Sequence, residues 1–294
     1  MRRRSLAAAA GIVADAVWGE PPISPHPVSA FGRLMRVAER NLHRDHRMAG
    51  VAHAGLGIGV GVGAGLALRS TAAATYLAVA GRALGGAATE VAGALSAGDL
   101  DGARRRLPAL VGRDTSALGE KEMARAAVES VAENTVDAVV APALWAAVLG
   151  APGALGYRAA NTLDAMVGHR NPRYLRYGWA SARLDDVANF GAARLTAALV
   201  VAVRPWAAAA VWSAVRRDAP GHPSPNSGVA EAAFAASLGL RLGGENTYGD
   251  RVEVRPPLGA GRPPEVGDIG RAVELSRQVA LALAGALTIH GLWW

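Results

Sequence analysis

The sequence predicts an all-α fold, a multi-pass integral membrane helical bundle with structured polar loops, residues 1–294 forming one membrane-embedded domain. Three observations predict it. Apolar residues make up 51% of 294 before the 36 glycines are counted, yet aromatics are only 5%. The excess is alanine, valine, leucine and glycine, and small side chains let helix backbones approach closely in lipid. The run from Ala49 to Leu68 has His53 as its only polar interruption and matches the ~20 residues needed to cross a hydrocarbon core. Finally, Lys121 is the only lysine in a chain of net charge +7, and arginines bracket apolar stretches at Arg2 to Arg4, Arg69, Arg82, Arg194, Arg204, and Arg216 to Arg217. Cations at membrane flanks follow that pattern. A large helical core in water is the alternative that composition alone allows.

The elements follow in order. "MRRRSLAAAAGIVADAVWG" has the basic start and alanine-rich core of a signal peptide, but Asp15 interrupts the core, so it is read as a retained first helix. In Ala49 to Leu68, glycines at 55, 57, 59, 61, 63 and 65 give overlapping G-x-x-x-G spacings, a helix-packing face. A dinucleotide loop is excluded because Ala64 replaces the last glycine of G-x-G-x-x-G and no strand precedes it. Further apolar helices are expected at about 71–95, 138–149, 193–203, 206–215 and 279–293, with Pro205 dividing the region 192–215. "DRVEVRP" at 250–256 is the one strand-like alternation, and "VRPPLGAGRPPEVGD" reads as an exposed connection. The segments 19–33, 161–190 and 222–244 read as polar loops that hold most of the chemistry.

Several function classes fall away. No basic run interleaved with aromatics or nucleic-acid module is present, so no nucleic-acid partner is expected. Absence of cysteine excludes a disulfide scaffold and a thiolate metal site. There is no H-x-x-x-H, no G-x-S-x-G and no P-loop, since Lys121 follows Glu120 rather than glycine. If ATP is used, arginines, metal and loop amides must hold its phosphates.

Carboxylates beside apolar segments carry the remaining signal. In "ESVAENTVDAVVAP", Glu129, Glu133 and Asp137 fall at i, i+4 and i+8 of a helix, where like charges repel. Asn161 and Asp164 lie in "NTLD", Asp185 and Asp186 in "ARLDDVAN", and Glu231 follows "PNSG". Burying a carboxylate costs several kcal/mol unless it is paired or metal-bound. One reading is an arginine–carboxylate network using Arg158, Arg183 and Arg194. The other is a hard, oxygen-loving cation such as Mg²⁺ carrying phosphate. His26, between two prolines, and His222 are loop histidines suited to general-base or anchoring work. Asn226 or Ser227 can cap a helix start, with free N–H groups around an anion as the functional version.

Four blocks, in order, resemble the membrane-bound cobinamide-phosphate synthase family of cobalamin biosynthesis: "DAVWGEPPISPHPVSAFGRL", "ESVAENTVDAVVAP", "NTLDAMVGHRNPRYLRYGWASARLDDVANFGAARLTA" and "RDAPGHPSPNSGVAEAAFAASLGLRLGG". They run from Asp15 to Gly244. Glu20 stands where the family usually has aspartate, and Ala138 where glycine is usual. The resemblance implies a cell (inner) membrane protein, its active site facing the cytoplasm, that joins adenosylcobyric acid to aminopropanol or its phosphate through an amide bond. ATP hydrolysis drives the joining, with Mg²⁺ as cofactor and a homo-oligomer as a further partner expectation. Under it, Glu133, Asp137, Asp185 and Asp186 take metal–phosphate duty, while Asn134, Asn161, Ser224 and Asn226 orient substrates. Arg183 and Arg33 bind phosphate, and Asp164, Glu231 or His26 supplies the base. Two rivals stand beside it. "NTLD" and "LDDVAN" superficially resemble the aspartate motifs of membrane prenyltransferases acting on diphosphates, and intramembrane acids can mark the path of a cation-coupled transporter.

Overall fold

The structure is a computed structural model that describes the chain apart from residues 113, 249, 250 and 294, and only the backbone of 245–248 and 251–253. Thirteen α-helices and one β-hairpin are found among the described residues. Four stretches are long and apolar enough to cross a membrane: Arg47–Leu68, Glu120–Leu149, Trp179–Val203 and Val266–Trp293. Large apolar side chains such as Leu56, Leu66, Leu281 and Ile289 stand exposed on them. This is a membrane protein. Residue contacts divide it into two compact units: Met1–Ala80, Asp137–Phe190 and Leu283–Trp294 form one, and Gly81–Val136 and Gly191–Ala282 the other.

The first unit holds α1 (Arg2–Trp18), α2 (Pro27–Leu42), α3 (Arg47–Leu68) and α4 (Thr71–Ala78). It also takes α8 (Ala141–Leu149), α9 (Ala151–Val167), and the parts of α10 (Trp179–Val203) and α13 (Val266–Trp293) that fall within its bounds. The glycines of α3 sort by face. A Cβ on Gly61 would stand 2.6 Å from the Leu155 carbonyl oxygen, and one on Gly65 2.5 Å from that of Ala151, whereas Gly55, Gly59 and Gly63 face open space. Glycines four residues apart share a helix face, so Gly57, Gly61 and Gly65 form the groove into which α9 packs.

The expected helix at 71–95 breaks at Val79, and the cause lies across the unit. Val136–Val140 form a π turn, followed by Pro142. Proline has no N–H, so the Ala138 carbonyl four residues earlier loses its helical donor. The Ala80 amide takes the place, at 2.9 Å.

The second unit contains α5 (Gly81–Ser96), α6 (Leu100–Arg106), α7 (Glu120–Thr135), α11 (Ala208–Arg217) and α12 (Ser227–Leu238), with the remaining lengths of α10 and α13. β1 (Leu242–Tyr248) pairs antiparallel with β2 (Arg251–Leu258), Leu242 opposite Leu258 and Gly244 opposite Arg255, with a bulge between Leu242 and Gly244. The strand signal at 250–256 is thus β2, its first residue, Asp250, lying outside the described residues. Phe234, Leu240, Leu258, Ile269 and Leu275 fill this core. Pro205 separates α10 from α11 through a short 3₁₀ turn, as expected.

Two of the polar loops read from sequence are largely helix. Asn161 and Asp164 lie on α9, Asp185 and Asp186 on α10, and Glu231 in the middle of α12. Most of the acid chemistry therefore sits on rigid elements rather than connectors.

Candidate functional site

In the first unit, helical spacing builds an acid–amide group. Tyr157, Asn161 and Asp164 recur at i, i+4 and i+7 along α9, and Asp185 and Asn189 at i, i+4 along α10, so each set shares a face. The Asn161 amide donates to Asp137 Oδ2 and Asp185 Oδ1, both at 3.2 Å. Asn189 donates to the other Asp185 oxygen at 3.0 Å and accepts from the Tyr157 hydroxyl at 2.8 Å. Asp164 and Asp186 place like charge beside Asp185. Arg183 pairs with Asp186 at 3.2 Å. The arginine–carboxylate reading is therefore met at that pair, while Asp185 is held by amides.

His26 and Arg33 lie elsewhere on this unit. His26 stands before the first turn of α2 with Nε2 buried and lacking a hydrogen-bond partner, and Arg33 is exposed. Among the described residues, no hydrogen bond or ion pair joins either to the acid–amide group.

In the second unit, the turn before α12 organises a denser network. The Ser224 hydroxyl accepts from the backbone N–H groups of Asn226 and Ser227 at 3.3 and 3.2 Å. Ser227 Oγ lies 3.1 Å from Ser224 Oγ and donates to Glu133 Oε1 at 2.7 Å. Asn226 Oδ1 accepts from Arg194 at 3.1 Å. Asn134, by contrast, turns its amide back onto Ser130 of its own helix. Behind the turn, Glu231 is wholly buried, with His222 Nε2 and Arg255 Nη1 each 3.7 Å from its Oε1. His222 Nδ1 lies 3.1 Å from the Ser224 N–H and 3.2 Å from the Ser224 carbonyl oxygen, and Nε2 faces Glu231. Burial, then the Arg255 charge, holds the His222 pKa below its ordinary value, so the ring is neutral at pH 7. Glu129, also buried, accepts from the Gly243 N–H at 2.9 Å with Arg125 Nε at 3.8 Å.

Among the described residues, no group of three or more His, Asp or Glu is placed to hold a metal ion alone. Asp137 and Asp185 nevertheless converge on one amide. Mg²⁺ is ordinarily held by one or two carboxylates together with substrate phosphates and waters, and this pair suits that mode. Glu133 accepts from the Ser227 hydroxyl. His222 is one of the two loop histidines named from the sequence, whereas Arg255, Asn189 and Tyr157 were not. The period-4 spacings Tyr157–Asn161 and Asp185–Asn189 carried a signal for the last two; nothing in the sequence singled out Arg255.

Comparison with known proteins places this arrangement. A cobalamin biosynthesis protein CobD of Mycobacterium tuberculosis is 48% identical over 96% of this chain and 94% of its own length. Proteins of the same name from Geobacter metallireducens and Chromobacterium violaceum are each 43% identical, covering 84% and 95% of this chain. No solved structure matches the chain. The model of the CobD/Cbib protein family matches residues 8–276, across all the helices that carry the two polar groups, and the chain belongs to that family.

Proposed function

We propose that this chain is the amide-forming enzyme of cobalamin biosynthesis that joins adenosylcobyric acid to aminopropanol or its phosphate at the expense of ATP. The observation that supports it is near-full-length similarity to proteins named for cobalamin biosynthesis. A carboxylate does not condense with an amine in water unless activated. The corrinoid carboxylate attacks the γ-phosphorus of ATP, forming an acyl phosphate and releasing ADP. The amine then attacks the acyl carbon, inorganic phosphate leaves, and the nitrogen gives up a proton.

The chain's residues divide these tasks. Asp137 and Asp185, held in register by Asn161 and Asn189, are the ligands for Mg²⁺, which when bound neutralises charge on the transferring phosphoryl group. Half-buried Asp164 on the same helix face takes the proton from the ammonium. Glu231 does not meet substrate, because it has no exposed surface; it holds His222 and Arg255 in place. Ser224, Ser227 and Glu133 form a hydroxyl–carboxylate chain suited to hydrogen-bonding a polar substrate. The site is taken to face the cytoplasm from a multi-pass position in the cell membrane, where ATP is available.

Purified protein incubated with adenosylcobyric acid, Mg²⁺·ATP and each amine should yield a corrinoid heavier by the amine less one water, read by mass spectrometry. Absence of that product with both amines, under conditions where the protein stays folded, would overturn the reading. Consumption of an isoprenyl diphosphate instead would favour the prenyltransferase alternative.

A further inference from the structure

A cavity of about 360 Å³ lies within the first unit, between α2, α3, α4 and α9. Its walls are apolar, with Phe31 and Leu34 from α2, Leu77 from α4 and Leu155 from α9. Room is left there because Ala30, Gly61 and Ala64 present little or no side chain. Leu34 and Ala64 are exposed, and Ala64 belongs to α3, which is long and apolar enough to cross a membrane. The cavity therefore opens on the flank of a spanning helix, where the surrounding medium is lipid.

One cation lines this space, Arg158. Its Nε is buried without a hydrogen-bond partner, and among the described residues no ion pair joins its guanidinium to an acid. Thr162, the one other polar side chain of the lining, is already committed, its hydroxyl donating to the Arg158 carbonyl at 2.7 Å. Nor does the acid–amide group meet Arg158: Tyr157, Asn161 and Asp164 share one face of α9, while Arg158 shares another with Leu155 and Thr162. A guanidinium among apolar walls costs free energy until an anion meets it, and its planar fork matches phosphate oxygens. A free phosphate would find a single donor group here. An amphiphile would satisfy the cation and cover the apolar walls as well.

We propose that this cavity binds one anionic phospholipid, its phosphate on Arg158 and an acyl chain against the apolar walls. The site is separate from the acid–amide group and stands whether or not the amide-forming reading holds. The probe is phosphatidylglycerol carrying a photoreactive diazirine in its acyl chain, with phosphatidylcholine of the same chains as the zwitterionic control. Full-length protein in neutral detergent is cross-linked at low lipid concentration, and labelled peptides are mapped by mass spectrometry. Peptides spanning 27–34, 60–64 and 155–162 should be labelled about tenfold more by phosphatidylglycerol, the scale of one hydrogen bond to a charged group. Arg158→Gln should remove that preference and Arg158→Lys should keep most of it. Both variants should melt close to wild type, because the guanidinium bonds to nothing else among the described residues. Unlabelled phosphatidylglycerol should protect the site, whereas inorganic phosphate should not.

Equal labelling by the two lipids, or labelling confined to other peptides, would overturn the assignment. So would an Arg158→Gln protein that melts like wild type and keeps the preference, since another cation would then hold the headgroup. An Arg158→Gln protein that melts far below wild type would show the guanidinium to be committed within the fold, which removes the free cation the site requires. Protection by inorganic phosphate at the concentration where phosphatidylglycerol protects would assign Arg158 to a free phosphate and end the lipid reading.

Discussion

Asp185→Asn separates chemistry from architecture. Asp185 accepts from Asn161 at 3.2 Å through one oxygen and from Asn189 at 3.0 Å through the other. An asparagine keeps one acceptor and turns the other atom into a donor facing a donor. One hydrogen bond to a charged group is lost, about 1.5–3 kcal/mol. Against this, removal of the charge relieves repulsion from Asp164 and Asp186, which lie beside it. The two terms oppose, so the net change in stability should stay within about 2 kcal/mol. The chemical consequence should be larger, because a hard cation requires the charge and an amide of equal size replaces it poorly. Turnover should fall at least a hundredfold, about 2.7 kcal/mol in the barrier. Raised Mg²⁺ should restore part of it. The assays are thermal unfolding in detergent and corrinoid product formation across a Mg²⁺ series. A well-folded variant with full activity would end the metal–phosphate assignment at this residue, and a variant that melts far below wild type would make Asp185 an architectural group.

Further expectations follow from the same geometry. Gly61→Ala should destabilise by about 1–3 kcal/mol, since its Cβ meets the Leu155 carbonyl, while Gly59→Ala, facing open space, should be neutral or stabilising by up to about 1 kcal/mol; equal melting shifts for the two would refute the packing face. Because the folded pKa of His222 lies below its ordinary value, its contribution is complete above about pH 6.5 and is lost as pH falls below that. His222→Gln should flatten the melting profile between pH 5 and 7, and an unchanged slope would contradict the buried neutral ring facing Glu231, Glu133, Glu129 and Arg255. Burial works to raise the Glu39 pKa, but hydrogen bonds from Arg173 and Tyr174 at 2.9 Å outweigh it and hold the carboxyl below its usual value. That stabilisation is present above pH ~4.5 and is lost as pH falls through the lowered folded pKa. Arg173→Ala should lower the melting temperature at pH 7, with the difference from wild type shrinking in acid; a constant difference would count against the pairing.

The legible parts of this fold are those where one physical signal acts alone. The segment Arg47–Leu68 declared itself because nothing charged interrupts it and its glycines recur every fourth residue on the packed face. Trp179–Val203 hid because Arg183, Asp185 and Asp186 make its first third look like a loop. The acids are tolerated there because Asn161, Asn189 and Arg183 match them, and two of those partners lie close by only once the chain has folded or the helical period is assumed. The identity of the acids as site candidates was readable, since carboxylates beside apolar runs need partners. Their partners were not: Asn161 meets Asp137 and Ser227 meets Glu133, both across long stretches of sequence. The break at Val79 depends on a carbonyl freed by Pro142, a contact between residues nearly sixty apart.

Two deeply buried acids constrain how the second unit can be read. Glu129 and Glu231 are 4% and 0% exposed, and a carboxylate so placed costs several kcal/mol unless a cation or donor meets it. Arg125 and the Gly243 N–H meet the first, and Arg255 and His222 the second. Truncating either arginine would strand a buried charge, at about 3–5 kcal/mol. Loss of activity in such variants would therefore say nothing about ligand binding. The same argument explains why the two arginines lie where they do: each is held by a buried acid. Lys121 and Arg241 have no such anchoring role. Charge reversal at those two exposed positions leaves the buried pairs intact, so it should leave the melting temperature near that of wild type, whereas Arg125→Ala or Arg255→Ala should lower it.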